Sequence, residues 1–91
     1  MRIATDEVLI IGYGQWDIDG EPVKRADGSP AEYVDVLDLA ENQGYRWSLA
    51  PEVNGERPKE LTKCRLEGEL RERERNGRRR LGIVVDTFLK V

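Results

Sequence analysis

The sequence contains no histidine and one cysteine, Cys64. Histidine is the most common general base near neutral pH and the most common metal ligand, so catalysis and metal binding are left without their usual side chains. A single cysteine cannot form an internal disulfide. No pair of carboxylates stands out by its spacing, and no glycine-rich loop matches the phosphate-binding patterns. The sequence therefore predicts a protein that is not an enzyme and has no metal or cofactor.

Long apolar runs are also missing. The longest is Val8-Leu9-Ile10-Ile11, whereas a transmembrane helix needs about 20 apolar residues. The N-terminus lacks the charged start and apolar stretch of a signal peptide. A chain of 91 residues has room for one core. We therefore expect one cytoplasmic domain over residues 1–91, with no membrane contact.

The charge is unevenly distributed along the chain. The net charge is −3, but residues 1–55 carry four Lys/Arg against eleven Asp/Glu, whereas residues 56–91 carry eleven against seven. A polarised chain of this kind can present its basic side to phosphates although the whole protein is acidic.

Most of the basic residues lie in residues 61–91, which are predicted to form a β-hairpin. The pair Asn76-Gly77 suits a two-residue type I′ turn, and this turn fixes the register. The predicted pairs are Arg75 with Arg78, Glu74 with Arg79, Arg73 with Arg80, Glu72 with Leu81, Leu70 with Ile83 and Gly68 with Val85. A helix over residues 65–75 is the alternative, with Glu67–Arg71 and Glu69–Arg73 as favourable pairs.

Alternation along the two strands gives this hairpin two different faces. One face carries the arginines and the other is apolar and includes Cys64, which we expect to be buried. The arginine face holds Arg71, Arg73, Arg75, Arg78 and Arg80, and the apolar face holds Leu66, Leu70, Leu81, Ile83 and Val85. Like charges opposite each other are unfavourable, so the arginine face is expected to bind an anion, and phosphate matches the guanidinium geometry. A solvated sheet edge is the alternative.

The first half of the chain has the pattern of short strands separated by turns. Asp19-Gly20, Asp27-Gly28 and Asn54-Gly55 mark turns. The first strand is expected from about Glu7 to Ile18, with a bend or bulge at Gly12 and Gly14. Residues 19–30 form a turn-rich loop that would carry Lys24 and Arg25 outward, either as a phosphate contact or as an ordinary polar loop.

Residues 29–44 fit either a helix or a strand. Ser29, Pro30 and Glu32 resemble a helix start and Gly44 a helix stop. The β-branched and apolar residues of 31–39 favour a strand, followed by a hairpin through 40–44 and a second strand over 45–50. We prefer the strand. Residues 51–60 are then a connector.

Aromatic residues and an arginine cluster on these two strands. Tyr45, Trp47 and Leu49 are expected to share a face, with Tyr33 on the neighbouring strand and Arg46 and Ser48 behind. Such a surface can stack bases, each worth about 1–3 kcal/mol. At least one tryptophan is expected to be buried, with Trp47 rather than Trp16 as the exposed one.

The predicted element order resembles a minimal OB-fold, a small five-stranded antiparallel barrel with a protruding C-terminal β-hairpin. It is similar to the compact single-stranded DNA-binding proteins of filamentous phages and of conjugative or integrative elements in high-GC bacteria. The likeness is carried by Asp27-Gly28-Ser29-Pro30 before Tyr33-Val34-Asp35-Val36, by Leu66-Glu67-Gly68 and by Arg80-Leu81-Gly82-Ile83-Val84-Val85. This resemblance implies cooperative coating of displaced single strands during replication or transfer, often as a homodimer.

Three hypotheses for function follow. The first is a single-stranded nucleic-acid-binding protein that contacts its ligand through Lys24, Arg25, Tyr33, Tyr45, Arg46, Trp47, Arg71, Arg73, Arg75, Arg78 and Arg80. The second is an interaction module that docks on a helicase or relaxase through the Arg71–Arg80 hairpin. The third is a winged-helix DNA binder, with a helix over 29–44 and a wing over 70–81.

Overall fold

The structure, a computed structural model, describes the backbone of residues 1–91 and every side chain except those of Arg73, Arg75 and Arg80. Its eight strands are β1 (Arg2–Ala4), β2 (Val8–Gln15), β3 (Asp17–Ile18), β4 (Glu21–Pro22), β5 (Glu32–Asp38), β6 (Gln43–Asn54), β7 (Lys63–Arg75) and β8 (Arg78–Lys90). The described backbone has no helix. The all-β prediction is therefore confirmed. No helix in the described part of the chain is long and apolar enough to cross a membrane.

The two helical alternatives are wrong. Residues 32–38 form β5 and residues 63–75 form β7, so the winged-helix hypothesis loses the helix that it requires. Ser29 does not cap a helix. Its backbone N–H and its hydroxyl donate to Asp27 Oδ1 at 2.9 and 2.6 Å and close a turn. The β-branched side chains of β5 pack on one face of the sheet, which a helix would not allow.

Five strands form a closed hydrogen-bonded ring. The sheet order is β1-β7-β2-β5-β6-β8, and β7 also pairs with β8, so β2, β5, β6, β8 and β7 complete the ring while β1 lies outside it on β7. The expectation of a wholly antiparallel sheet is wrong, because β6 and β8 are parallel. One reversal follows β6 and another follows β7, so β8 again runs in the direction of β6.

The first predicted strand is divided. It ends at Gln15, and after Trp16 the short β3 pairs with β4 instead. The predicted bulge is confirmed, because the register with β5 shifts between Ile10 and Gly12. Gly14 is required for a different reason: a Cβ atom there would overlap the ring of Tyr33. The connector is also shorter than expected, since β6 continues through Pro51 to Asn54.

The core fills the inside of the ring with side chains that alternate along each strand. Its buried members are Val8, Ile10, Val34, Val36, Leu49, Cys64, Leu66, Val85 and Phe88. Burial of a large aliphatic side chain contributes about 1.5–3 kcal/mol, so these residues hold the ring together. Cys64 is a free thiol in this core, as predicted, and burial raises its pKa.

Candidate nucleic-acid interface

The C-terminal hairpin has the predicted register. Asn76 and Gly77 have φ angles of 53° and 73°, the left-handed values that a type I′ turn requires. All six predicted pairs are present, from Arg75 with Arg78 to Gly68 with Val85. Beyond that point the register shifts between Glu67 and Gly68, and this bulge was not predicted.

The outer part of this hairpin projects beyond the ring. The pairing of β1 with β7 ends at Glu69, and the pairing of β6 with β8 begins at Val84. Residues 71–82 therefore pair only with each other. A two-stranded ribbon of this length extends roughly 15–20 Å, at about 3.4 Å per residue.

The arginine face of the projecting hairpin is accessible where the structure describes it. Arg71 and Arg78 are exposed, and neither forms an ion pair with a described carboxylate. Alternation places Arg79 on the opposite face, where its Nε lies 3.4 Å from Glu72 Oε1. The side chains of Arg73, Arg75 and Arg80 lie outside the described residues, so their predicted roles stay predictions.

The loop between β2 and β5 presents one of its two basic residues. Lys24 is exposed and bridges to Pro30 through the backbone. Arg25 is half-buried: its guanidinium donates to the carbonyl of Leu49 at 2.9 Å and to Ser29 Oγ at 3.2 Å. The prediction that this loop carries Arg25 outward is therefore wrong, because the side chain returns to β6.

The predicted aromatic face is split between the two sides of the sheet. Tyr33 pairs with Ser48, whereas Val34 pairs with Trp47 and Val36 with Tyr45. Tyr33 therefore lies outside the ring, and Tyr45 and Trp47 lie on the side of the core. The predicted face of Tyr45, Trp47 and Leu49, with Arg46 and Ser48 behind it, is confirmed, but Tyr33 on the neighbouring strand lies on the face of Arg46.

Outside the ring, Tyr33 belongs to a cluster with Trp16 and Arg46. The Tyr33 and Trp16 rings meet edge to face with their centroids 5.0 Å apart, and the Arg46 guanidinium carbon lies 4.0 Å from the Tyr33 centroid. Arg46 also donates to both oxygens of Asp35 at 2.8 and 3.1 Å. These hydrogen bonds raise the pKa of Arg46. The positive charge of Arg46 is thus paired with the carboxylate of Asp35 on the neighbouring strand.

Tyr45 and Trp47 form a second aromatic pair. Their rings are stacked, with centroids 5.3 Å apart and an angle of 16°, and both are half-buried against the core. The Tyr45 hydroxyl donates to Glu41 at 2.8 Å, and this hydrogen bond raises the pKa of Tyr45. Trp16 is also half-buried, so the expectation of at least one buried tryptophan is wrong.

Two ion pairs near these surfaces were not predicted. Arg57 donates to both oxygens of Glu32 at 3.0 and 3.1 Å, and Arg2 donates to both oxygens of Asp86 at 2.7 and 2.8 Å. Both join residues far apart in the sequence. No local sequence pattern indicates these ion pairs, because their residues come close together only when the chain folds into the ring.

Comparison of the chain with protein-family models, with curated proteins and with solved structures finds no match. Among the described residues, no group of histidine, cysteine and carboxylate side chains is arranged to hold a metal ion. The interface is therefore interpreted from its geometry and charge.

Proposed function

We propose that this chain is a non-enzymatic protein that binds single-stranded nucleic acid, with single-stranded DNA as the expected ligand, on an OB-like barrel. The strand order supports this proposal. The spatial order β7-β2-β5-β6 places the fourth long strand beside the first, which is the order of a Greek key. The OB-fold is a five-stranded Greek-key barrel, and here β8 is the fifth strand.

The placement of the basic segments gives further support. OB-folds bind oligonucleotides with the face of their second and third strands and with the loops that follow the first and fourth strands. The corresponding parts of this chain are β5 and β6, the loop of residues 16–31 and the hairpin turn at Asn76-Gly77. Lys24 lies in the first of these loops, and Arg78 lies beside the second.

The projecting arginine face is the observation that carries the proposal. Arg71 and Arg78 are exposed on it, while Arg46 and Arg57 bind the carboxylates of Asp35 and Glu32. A planar guanidinium without a carboxylate can bind two phosphate oxygens. Arg73, Arg75 and Arg80 are predicted from the sequence alone to belong to the same face. Of the three predicted stacking residues, Tyr33 lies on the outer face of β5, whereas Tyr45 and Trp47 lie on the core side of the sheet; base stacking is therefore assigned to Tyr33.

The family resemblance gives the proposal its biological setting. The protein would coat displaced single strands during replication or transfer of a mobile element in the cytoplasm, as a homodimer. The hairpin would be the main phosphate contact. Arg25 and Arg46, which hold protein acceptors in the structure, would contribute less than their sequence positions indicate.

A second candidate is an interaction module that docks on a helicase or relaxase through the Arg71–Arg80 hairpin. It is favoured by the ion pair of Arg46 with Asp35 on the β5–β6 face, because the accessible arginines Arg71 and Arg78 then lie on the hairpin and not on that face. An acidic protein surface satisfies guanidinium groups as phosphate does.

Fluorescence-anisotropy titration of a labelled oligothymidine, at low and moderate salt, tests the first candidate against the second. Single-strand binding predicts a plot of log K against log[salt] whose slope is about −0.7 for each phosphate contact. A duplex of the same length should bind more weakly. No binding of oligothymidine even at low salt would contradict the proposal and would favour the interaction module.

A further inference from the structure

The closed ring has a gap between β6 and β8. These two strands are paired at Ser48 with Val84, at Leu49 with Val85 and again at Asn54 with Thr87, and the pairing does not continue toward their N-termini. Residues 43–47 of β6 are hydrogen-bonded to β5 on one edge. Their other edge has no strand partner in the described structure. An open edge presents unpaired N–H and C=O groups that can accept another strand.

A cavity of about 600 Å³ occupies this gap. It is lined by the consecutive residues 45–48 of β6, 81–83 of β8 and 3–6 at the N-terminus. Side chains alternate between the two faces of a strand, so a cavity that faces the sheet is lined by every second residue. A cavity that is lined by consecutive residues borders the edge of the strand. The open edges of both strands therefore border the cavity.

The inside of the cavity is apolar. The stacked rings of Tyr45 and Trp47 form one wall, and Ile83 and Leu81 lie across from them on the hairpin. Leu81 is 71% exposed, although it belongs to the apolar face of the hairpin. Large apolar side chains exposed in a concave site are typical of surfaces that bind a partner.

The rim of the cavity is acidic. Asp6, Asp38 and Glu41 line it, and none of these carboxylates has an ion-pair partner among the described residues. Arg46 also borders the cavity, but its guanidinium binds Asp35. This rim repels phosphate and attracts cations. It therefore does not suit a nucleic-acid strand.

We propose that this cavity binds an extended segment of a partner protein that carries apolar side chains flanked by lysine or arginine. The segment adds as a strand to the open edge of β6 at residues 43–47, the mode called β-augmentation. Its apolar side chains fill the space beside Tyr45 and Trp47. Its basic side chains meet Asp6, Asp38 and Glu41.

This site is distinct from the arginine face. Leu81 pairs with Glu72, and Arg71 pairs with Gly82, so Leu81 and Arg71 point to opposite sides of the hairpin. A protein segment at the cavity and an anion at the arginine face can then be bound at the same time. The inference does not rest on nucleic-acid binding.

The test uses a labelled peptide with a central run of valine and leucine flanked by lysines, titrated by fluorescence anisotropy. A glutamate-flanked peptide and a lysine–serine peptide are the comparison probes. Leu81→Arg places a charge at the cavity. Leu61→Arg is the matched control, because Leu61 is 73% exposed and does not line the cavity. Far-UV circular dichroism checks that both variants fold.

We expect the lysine-flanked apolar peptide to bind the wild type and Leu61→Arg equally and to lose about tenfold or more in affinity for Leu81→Arg, about 1.4 kcal/mol. Neither comparison probe should bind comparably. Three results would each overturn the proposal: no binding to the wild type, equal binding to both variants, or equal binding of the glutamate-flanked peptide. Displacement of the peptide by oligothymidine would assign the cavity to nucleic acid and would also overturn it.

Discussion

Arg46 lies over the ring of Tyr33 at 4.0 Å while its guanidinium binds both oxygens of Asp35. On the outer face of β5 and β6, the charge of Arg46 is therefore paired with Asp35, and the Arg46 guanidinium lies over the ring of Tyr33. A nucleic-acid strand that approaches this face meets an arginine whose charge is already paired with Asp35. The projecting hairpin, where Arg71 and Arg78 have no described carboxylate partner, is left as the stronger phosphate site.

The substitution Asp35→Asn is expected to strengthen binding of oligothymidine severalfold. The substitution keeps the size of the side chain but releases the Arg46 guanidinium from its carboxylate. With one more phosphate contact, the slope of log K against log[salt] should become steeper by about 0.7. Glu52→Gln is the control, because it removes one exposed carboxylate from β6. Anisotropy titrations at several salt concentrations measure both. Equal changes in the two variants would indicate a general charge effect and not the release of Arg46.

The hairpin shows what the sequence could predict. Asn76-Gly77 fixes the turn type, and each pair back to Gly68 with Val85 follows by counting. The alternation of apolar residues then identifies the face that enters the core at Leu66 and Val85, although Leu81 on the same face is exposed. The bulge at Glu67 has no comparable signal, because it arises where the two strands also meet β1 and the ring.

The pairing of β5 with β6 shows where prediction from the sequence failed. Residues 39–42 form the turn, so that Asp38 pairs with Gln43, and no Asn-Gly dipeptide marks that turn. A shift of one residue moves every side chain to the opposite face. Tyr33, which the sequence grouped with Tyr45 and Trp47 as one stacking surface, therefore lies on the other side of the sheet. The cavity between β6 and β8 depends on contacts between distant strands and could not be predicted.

The substitution Gly68→Ala is expected to lower the free energy of unfolding by about 2–3 kcal/mol. Gly68 is buried, and a Cβ atom there would lie 2.8 Å from the backbone carbonyl carbon of Val84, so the two strands must shift apart. Gly82→Ala in the same hairpin is the control, because a Cβ atom there meets nothing within 4 Å. Its effect should stay within about 0.5 kcal/mol. Urea denaturation compares the two, and similar losses would contradict the packing at the bulge.

The ion pair between Arg2 and Asp86 is expected to make stability depend on pH. The hydrogen bonds from Arg2, together with that from Thr87, lower the pKa of Asp86 from 3.8 to about 2. The pair therefore stabilises the fold fully above the unfolded pKa, and this contribution is lost as the pH falls through the folded one. At neutral pH, Asp86→Asn should lower the free energy of unfolding by about 1 kcal/mol, because water screens the half-exposed Arg2.

Repeating the comparison of the wild type with Asp86→Asn at low pH tests this ion pair. The difference between the wild type and Asp86→Asn in urea denaturation should shrink between about pH 4 and pH 2. Asp19→Asn is the control, since Asp19 is exposed and has no described ion pair. A difference that stays constant over this range would show that Asp86 acts through packing and not through its charge.

The most direct test of the arginine face compares Arg78→Ala with Arg79→Ala in oligothymidine binding. The two residues are neighbours, both exposed, and each substitution removes one positive charge, but only Arg79 lies on the side of Glu72. We expect Arg78→Ala to weaken binding severalfold and to reduce the slope of log K against log[salt] by about 0.7, and Arg79→Ala to change little. Equal losses in both variants, or no loss in either, would contradict the assignment of the phosphate site to the arginine face.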